Sequence, residues 1–264
     1  VNAAPRVQFT PVPAICLDAV PYQFTQASEQ GGVPGSFVYS GPGVSPTGLF
    51  SPAVAGPGTH TIKYLYTSST GGCSDSTTQT IHVYAPPVAS FSVSSPLCEK
   101  RTLTFTNFSN STEGTLVGWS WDFGDGSPLV QQSNGNPVTH TYAQWGDYDV
   151  RLTVSTSNGC VSSAAVTRIH VNPIPRPGFT IPASVCLPNA NAVFTNSSTI
   201  PDNTASSFAY YWDFGDPPSG LVNNSTATNP SHTYVSAGPF NVNLQVTSAA
   251  GCVQDTTIVL NTIH

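Results

Sequence analysis

The chain has 264 residues, enough for two or three domains of ordinary size. Only 8% are charged, the net charge is −6, and seven Lys and Arg form no basic run to hold phosphates, which excludes nucleic-acid binding as a reading. No stretch approaches the roughly 18 consecutive apolar residues of a membrane-spanning helix. An apolar share of 39% beside 24 Pro and 22 Gly points to small cores joined by turn-rich segments.

In chain order the same landmarks occur three times. Each repeat opens with a Pro-containing linker strand: "VNAAPRVQF" (Val1–Phe9), "IHVYAPPVASF" (Ile81–Phe91) and "IHVNPIPRPGF" (Ile169–Phe179). Cys16, Cys98 or Cys186 follows, and then an alternating strand, "YQFTQAS", "LTFTNFS" or "AVFTNSS". A Gly-led strand comes late: "GTHTIKYLYT", "GDYDVRLTVS" or "GPFNVNLQVT". A Gly-Cys turn with Cys73, Cys160 or Cys252 ends it, and a last strand returns to the linker. The terminal "TIH" (Thr262–His264) reads as the Ile-His before each earlier linker, so the chain is expected to be a section of a longer array.

The alternation is strand-like. Tyr148, Val150, Leu152 and Val154 share one face, and Asp147, Asp149, Arg151 and Thr153 share the other. Short strands separated by Gly, Pro and Asn turns, in units of about 80–95 residues, predict an all-β chain of three β-sandwiches. The expected domains are residues 1–83, 84–171 and 172–264. None of the six cysteines forms a C-x-x-C pair, so zinc is not expected. An even count in such a chain predicts disulfides and an oxidising compartment.

Two stretches carry a resemblance: "WDFGDGSP…NPVTHTYAQWGDYDVRLTVSTSNGC" and "WDFGDPPSG…NPSHTYVSAGPFNVNLQVTSAAGC". They resemble the PKD domain family, immunoglobulin-like sandwiches of secreted and surface proteins. They are also similar to repeats of large surface and gliding-associated adhesins in Bacteroidetes-type bacteria. Pro217 departs from the pattern by replacing its second Gly, and the first repeat lacks W-D-F-G-D. That repeat resembles a sister Ig-like module in which Phe37 and Tyr39 take the place of the tryptophan strand. The resemblance implies an extracellular or cell-surface segment without catalysis, flanked by neighbouring repeats and facing glycans or another surface.

On a strand, Trp121 and Phe123 point one way and Asp122 the other. Gly124 and Asp125 then turn the chain, with the carboxylate accepting backbone N–H bonds. Trp212, Asp213, Phe214, Gly215 and Asp216 read the same way. His140 and His232 belong to a repeated H-T-Y, whose Tyr142 and Tyr234 read as corner tyrosines. The resemblance keeps calcium open at Asp122, Asp125, Asp213 and Asp216; no other cofactor is expected. No catalytic residues are expected, because the acids flank a turn and no Ser–His–acid set exists.

Two cysteine pairings remain open. Within repeats they are Cys16–Cys73, Cys98–Cys160 and Cys186–Cys252. Strand parity in a sandwich of this topology puts the two cysteines of one repeat at opposite ends. It favours bridges between adjacent domains, Cys16–Cys160 and Cys98–Cys252, leaving Cys73 and Cys186 for further neighbours. Sequons occur at Asn107, Asn110, Asn196, Asn223 and Asn224. "DST" and "DTT" make Ser76 and Thr256 candidates for O-glycosylation. A carbohydrate-binding accessory region of a secreted hydrolase is the rival reading, with Trp119 and Trp145 as candidate platform aromatics.

Overall fold

Alternating residues set the long strands. In Gly146–Thr156, Val150, Leu152 and Val154 are buried while Asp147 and Arg151 are exposed. This is the period of two required by a sheet with one wet face. Gly58–Ser68 turns Ile62 and Tyr64 inward, and Phe240–Thr247 turns Val242, Leu244 and Val246 inward. A computed structural model describes residues 4–264; Val1–Ala3 of the first linker lie outside the described residues.

The strands build three tandem immunoglobulin-like sandwiches, each around its own core. The middle one packs two antiparallel sheets. One has the order Val130–Gln132, Leu116–Asp122, Gly146–Thr156, Ala165–Val171; the other has Val138–Thr141, Thr102–Asn107, Phe91–Val93. In the third, Asn224–Ser225, Ala209–Asp213, Phe240–Thr247 and Val253–Leu260 face the pairs Ala190–Val193/Ser231–Tyr234 and Phe179–Thr180/Thr195–Asn196. The first has Gly35–Ser40, Gly58–Ser68 and Ser74–Tyr84 in one sheet, with Ile15–Cys16 added in parallel at the edge.

Aromatic rings fill the cores. Trp121 lies edge-on to Phe91, with ring centroids 5.2 Å apart, and Trp212 lies edge-on to Phe179 at 5.0 Å. Register shows what replaces the tryptophan in the first sandwich. Tyr39 pairs Tyr64 as Trp121 pairs Leu152 and Trp212 pairs Leu244. Tyr39 is buried, but Phe37 is 51% exposed, so Tyr39 alone takes the buried tryptophan's place.

Register also corrects the reading of "TIH". Glu99 N–H donates to Asn172 O and Leu17 N–H to Tyr84 O; the matching bond in the third sandwich is Leu187 N–H to His264 O. His264 therefore stands where Tyr84 and Asn172 stand, not where His82 and His170 stand. Ile263 is buried and takes the place of Val83 and Val171.

Candidate functional site

The W-D-F-G-D segments close one end of the second and third sandwiches. Trp121 and Phe123 are buried, and Asp122 between them faces outward, where its Oδ1 accepts the Gly124 N–H at 2.9 Å. Asp213 repeats this with Gly215 at 2.9 Å. Gly124 and Gly215 have φ of 74° and 71°. A Cβ at either would meet backbone of the neighbouring strand, Asp149 O at 2.7 Å or Asn241 O at 2.5 Å. Glycine is required there on both counts. The corner tyrosines then tie the sheets together: Tyr142 Oη donates to Phe123 O at 3.0 Å and Tyr234 Oη to Phe214 O at 2.9 Å.

The second aspartate of each motif meets the histidine of H-T-Y, a pairing that sequence reading missed. His140 Nε2 donates to Asp125 Oδ2 at 2.8 Å, and His232 Nε2 to Asp216 Oδ2 at 3.0 Å. The recurrence of W-D-F-G-D and H-T-Y at nearly the same spacing, 15 and 16 residues from aspartate to histidine, was its available signal. Each imidazole stacks on the motif phenylalanine, Phe123 with centroids 4.0 Å apart or Phe214 at 4.6 Å. Ser127 Oγ also donates to Asp125 Oδ1 at 2.6 Å. In the third sandwich Pro217 starts a short 3-10 segment, Pro217–Asn223, that returns a buried side chain to the turn. Asn223 Nδ2 donates to Asp213 Oδ1 at 2.8 Å, and its Oδ1 accepts the Asp216 N–H at 2.7 Å. Asn223 is thus a clamp inside the fold, and its sequon is not exposed.

This donor set does not fit calcium. Ca²⁺ takes about six to eight oxygen ligands. Among the described residues no three His, Cys, Asp or Glu gather around a common point, and each second aspartate already faces an imidazole N–H. The geometry performs a structural task, holding a loop against two sheets.

Four surface carboxyls, Glu29, Glu113, Asp125 and Asp147, lie below their ordinary values. At Asp125, partial burial raises the group, but hydrogen bonds from Ser127 and His140 and the His140 charge outweigh it. The Ala85 N–H, opposed by desolvation and helped by His82, lowers Glu113; the His170 hydrogen bond lowers Asp147. Depressed folded values mean that the stability these groups supply is complete above their unfolded values, near 4, and is lost as pH falls through the folded ones. The thermal midpoint is expected to fall as pH drops below about 4, and Asp125→Asn should flatten that fall. Calorimetry across this range is the check; an acid limb unchanged in Asp125→Asn would count against it.

The cysteines form two bridges between sandwiches. Cys16 is bonded to Cys160 with Cα atoms 5.6 Å apart, and Cys98 to Cys252 at 5.7 Å. Cys73 and Cys186 are free and exposed. The within-repeat alternatives Cys16–Cys73, Cys98–Cys160 and Cys186–Cys252 are not formed. Cys98 bridges Asn172 beside the Gly146 end of Gly146–Thr156, and Cys160 follows its other end. An eleven-residue strand separates those ends by about 30 Å, against the roughly 7 Å a disulfide tolerates.

Polar contacts reinforce each joint. Glu113 accepts from His82 Nε2 and from the Ala85 N–H, both at 2.8 Å, between the first and second sandwiches. At the next joint Arg101 Nη2 donates to Val253 O at 2.9 Å, and Glu99 accepts the Ile174 N–H at 3.2 Å. Trp119 is 7% exposed and packs in the second core, so it is no platform; its parity with Trp121 turns it inward. Trp145 is 41% exposed, and its backbone N–H donates to Glu99 Oε2. Ser76 is exposed on Ser74–Tyr84, and Thr256 is half-buried.

Sandwich topology, disulfide joints and turns locked by Asp–His pairs define a tandem immunoglobulin-like β-sandwich protein. Residues 84–171 and 178–261 each match the PKD domain, and the chain belongs to that family. Polycystin-1 of Homo sapiens is 25% identical over 197 residues, 75% of this chain and 4% of polycystin-1. Collagenase ColA of Clostridium perfringens is 31% identical over 102 residues, 38% of this chain and 9% of the collagenase. The crystallised PKD1 domain of Vibrio anguillarum Epp is 27% identical and covers 33% of this chain and 93% of its own, with a TM-score of 0.28. The chain thus spans a small part of the full-length relatives.

Proposed function

We propose that the chain is a non-catalytic segment of a long extracellular repeat protein, serving as a stiff stalk or fibre of a surface adhesin. Its modules are residues 1–83, 84–171 and 172–264. The observation that carries the reading is the pair of disulfides joining successive sandwiches. A second covalent link beside the linker removes the hinge freedom expected between tandem domains. Disulfides of this kind persist in oxidising compartments, which supports a cell-surface or secreted location. Hydroxyl-rich faces and 8% charged residues suit a solvated stalk that presents a binding tip to glycans or another surface.

Small-angle scattering of the full chain before and after reduction tests this. The oxidised chain should scatter as one narrow rod, and reduction should broaden its distance distribution without unfolding the sandwiches. Identical curves would refute stiffness by disulfide. The identity with Collagenase ColA supports a second reading, an accessory region of a secreted hydrolase. Binding to collagen fibrils or a glycan array, lost in Trp145→Ala, would favour it.

A further inference from the structure

Cys73 and Cys186 are held as their bonded counterparts are. Ser68 N–H donates to Cys73 O at 2.9 Å, as Thr156 does to Cys160 O and Ser248 to Cys252 O, both at 2.9 Å. The first hairpin carries an additional Gly, yet it places its cysteine on the same bond. Leu187 N–H donates to His264 O at 2.7 Å, the bond that Glu99 makes to Asn172 O after Cys98. What differs is cover. Cys98, Cys160 and Cys252 are 2%, 1% and 1% exposed, whereas Cys73 and Cys186 are open. Each joint seats the linker-side cysteine of one sandwich on the hairpin cysteine of the next, so the unmatched halves lie on the first and the last sandwich.

We infer that Cys73 and Cys186 are the two open halves of this same joint. Each takes a further sandwich of this type bearing the reciprocal cysteine, and a second copy of the chain presents both. The contact is head to tail between sandwiches already joined in series, so it extends into a linear covalent array. The electron pair leaves to a small-molecule disulfide such as oxidised glutathione. One copy's Cys73 thiolate first forms a mixed disulfide and releases one glutathione thiolate. The Cys186 thiolate of the other copy then attacks the Cys73 sulfur and displaces the second. In sum two protein thiols become one disulfide, and one oxidised glutathione becomes two thiols.

The inference extends the stalk reading but fails separately from it: scattering tests the two existing joints, and mixing tests the open ones. Cys73→Ser and Cys186→Ser variants of the 264-residue chain, with both native bridges verified by peptide mapping, are incubated alone and together in a glutathione redox buffer. The mixture should give a dimer linked Cys186 to Cys73, in roughly tenfold or greater excess over any dimer of either variant alone. The unmodified chain should give a ladder beyond the dimer. Equal dimerisation of each variant by itself, or a mixture that stops at glutathione adducts, overturns the inference.

Discussion

Trp212→Ala should destabilise the third sandwich by about 3–5 kcal/mol, the cost of emptying a large aromatic site in a core. Trp212 is fully buried, with Phe179 and Phe194 against its ring and its Nε1 donating to Ala227 O at 2.9 Å. Domains are stable by only about 5–15 kcal/mol, so this one should be marginal or unfolded at room temperature. Calorimetry, and urea denaturation followed by circular dichroism, will show an early separate transition. A subtler contrast checks the mechanism. Trp121 Nε1 is buried without a partner. Trp121→Phe removes an unsatisfied donor, whereas Trp212→Phe breaks a hydrogen bond and leaves Ala227 O unpaired. Trp212→Phe should therefore be the costlier by about 1–2 kcal/mol. The reverse order would show that ring shape, not the indole N–H, governs both sites.

Asp216→Ala should cost about 2–3 kcal/mol, because it leaves the buried His232 N–H without its acceptor. The side chains of His232 and Asp216 are 2% and 5% exposed. The loop from Pro217 to Asn223 keeps its tie, because Asn223 Oδ1 accepts the backbone N–H of residue 216, so the loss isolates the side-chain pair. The matching change in the second sandwich, Asp125→Ala, should cost only about 1–2 kcal/mol, since that pair is 18% and 16% exposed and water replaces part of what is lost. Chemical denaturation of both variants decides it. Equal losses would mean that burial does not set the worth of the pair.

Much of the fold was legible because its signal is local. Alternation along Gly146–Thr156 follows from a single wet face, and the Gly-Cys turns and Pro-rich linkers mark where strands end. The W-D-F-G-D residues were readable by the same logic: Trp and Phe inward, Asp outward, Gly at the turn. Other features were not local. The placement of "TIH" depended on parallel pairing with Val185 rather than on its letters. Asn223 read as a glycosylation sequon, but a 3-10 segment unique to the third sandwich turns it into the fold.

The sequence by itself determined an all-β array of repeats, its strands and its turn glycines, because these depend on periodicity and on backbone conformations that only some residues adopt. Tertiary structure decided which aspartate meets which histidine and which cysteine meets which. Those partners lie far apart along the chain, Cys16 and Cys160 by 144 residues and Cys98 and Cys252 by 154. Strand parity places the cysteines of one sandwich at opposite ends. Only the docking of one sandwich on the next brings Cys16 to Cys160 and Cys98 to Cys252, and leaves Cys73 and Cys186 open.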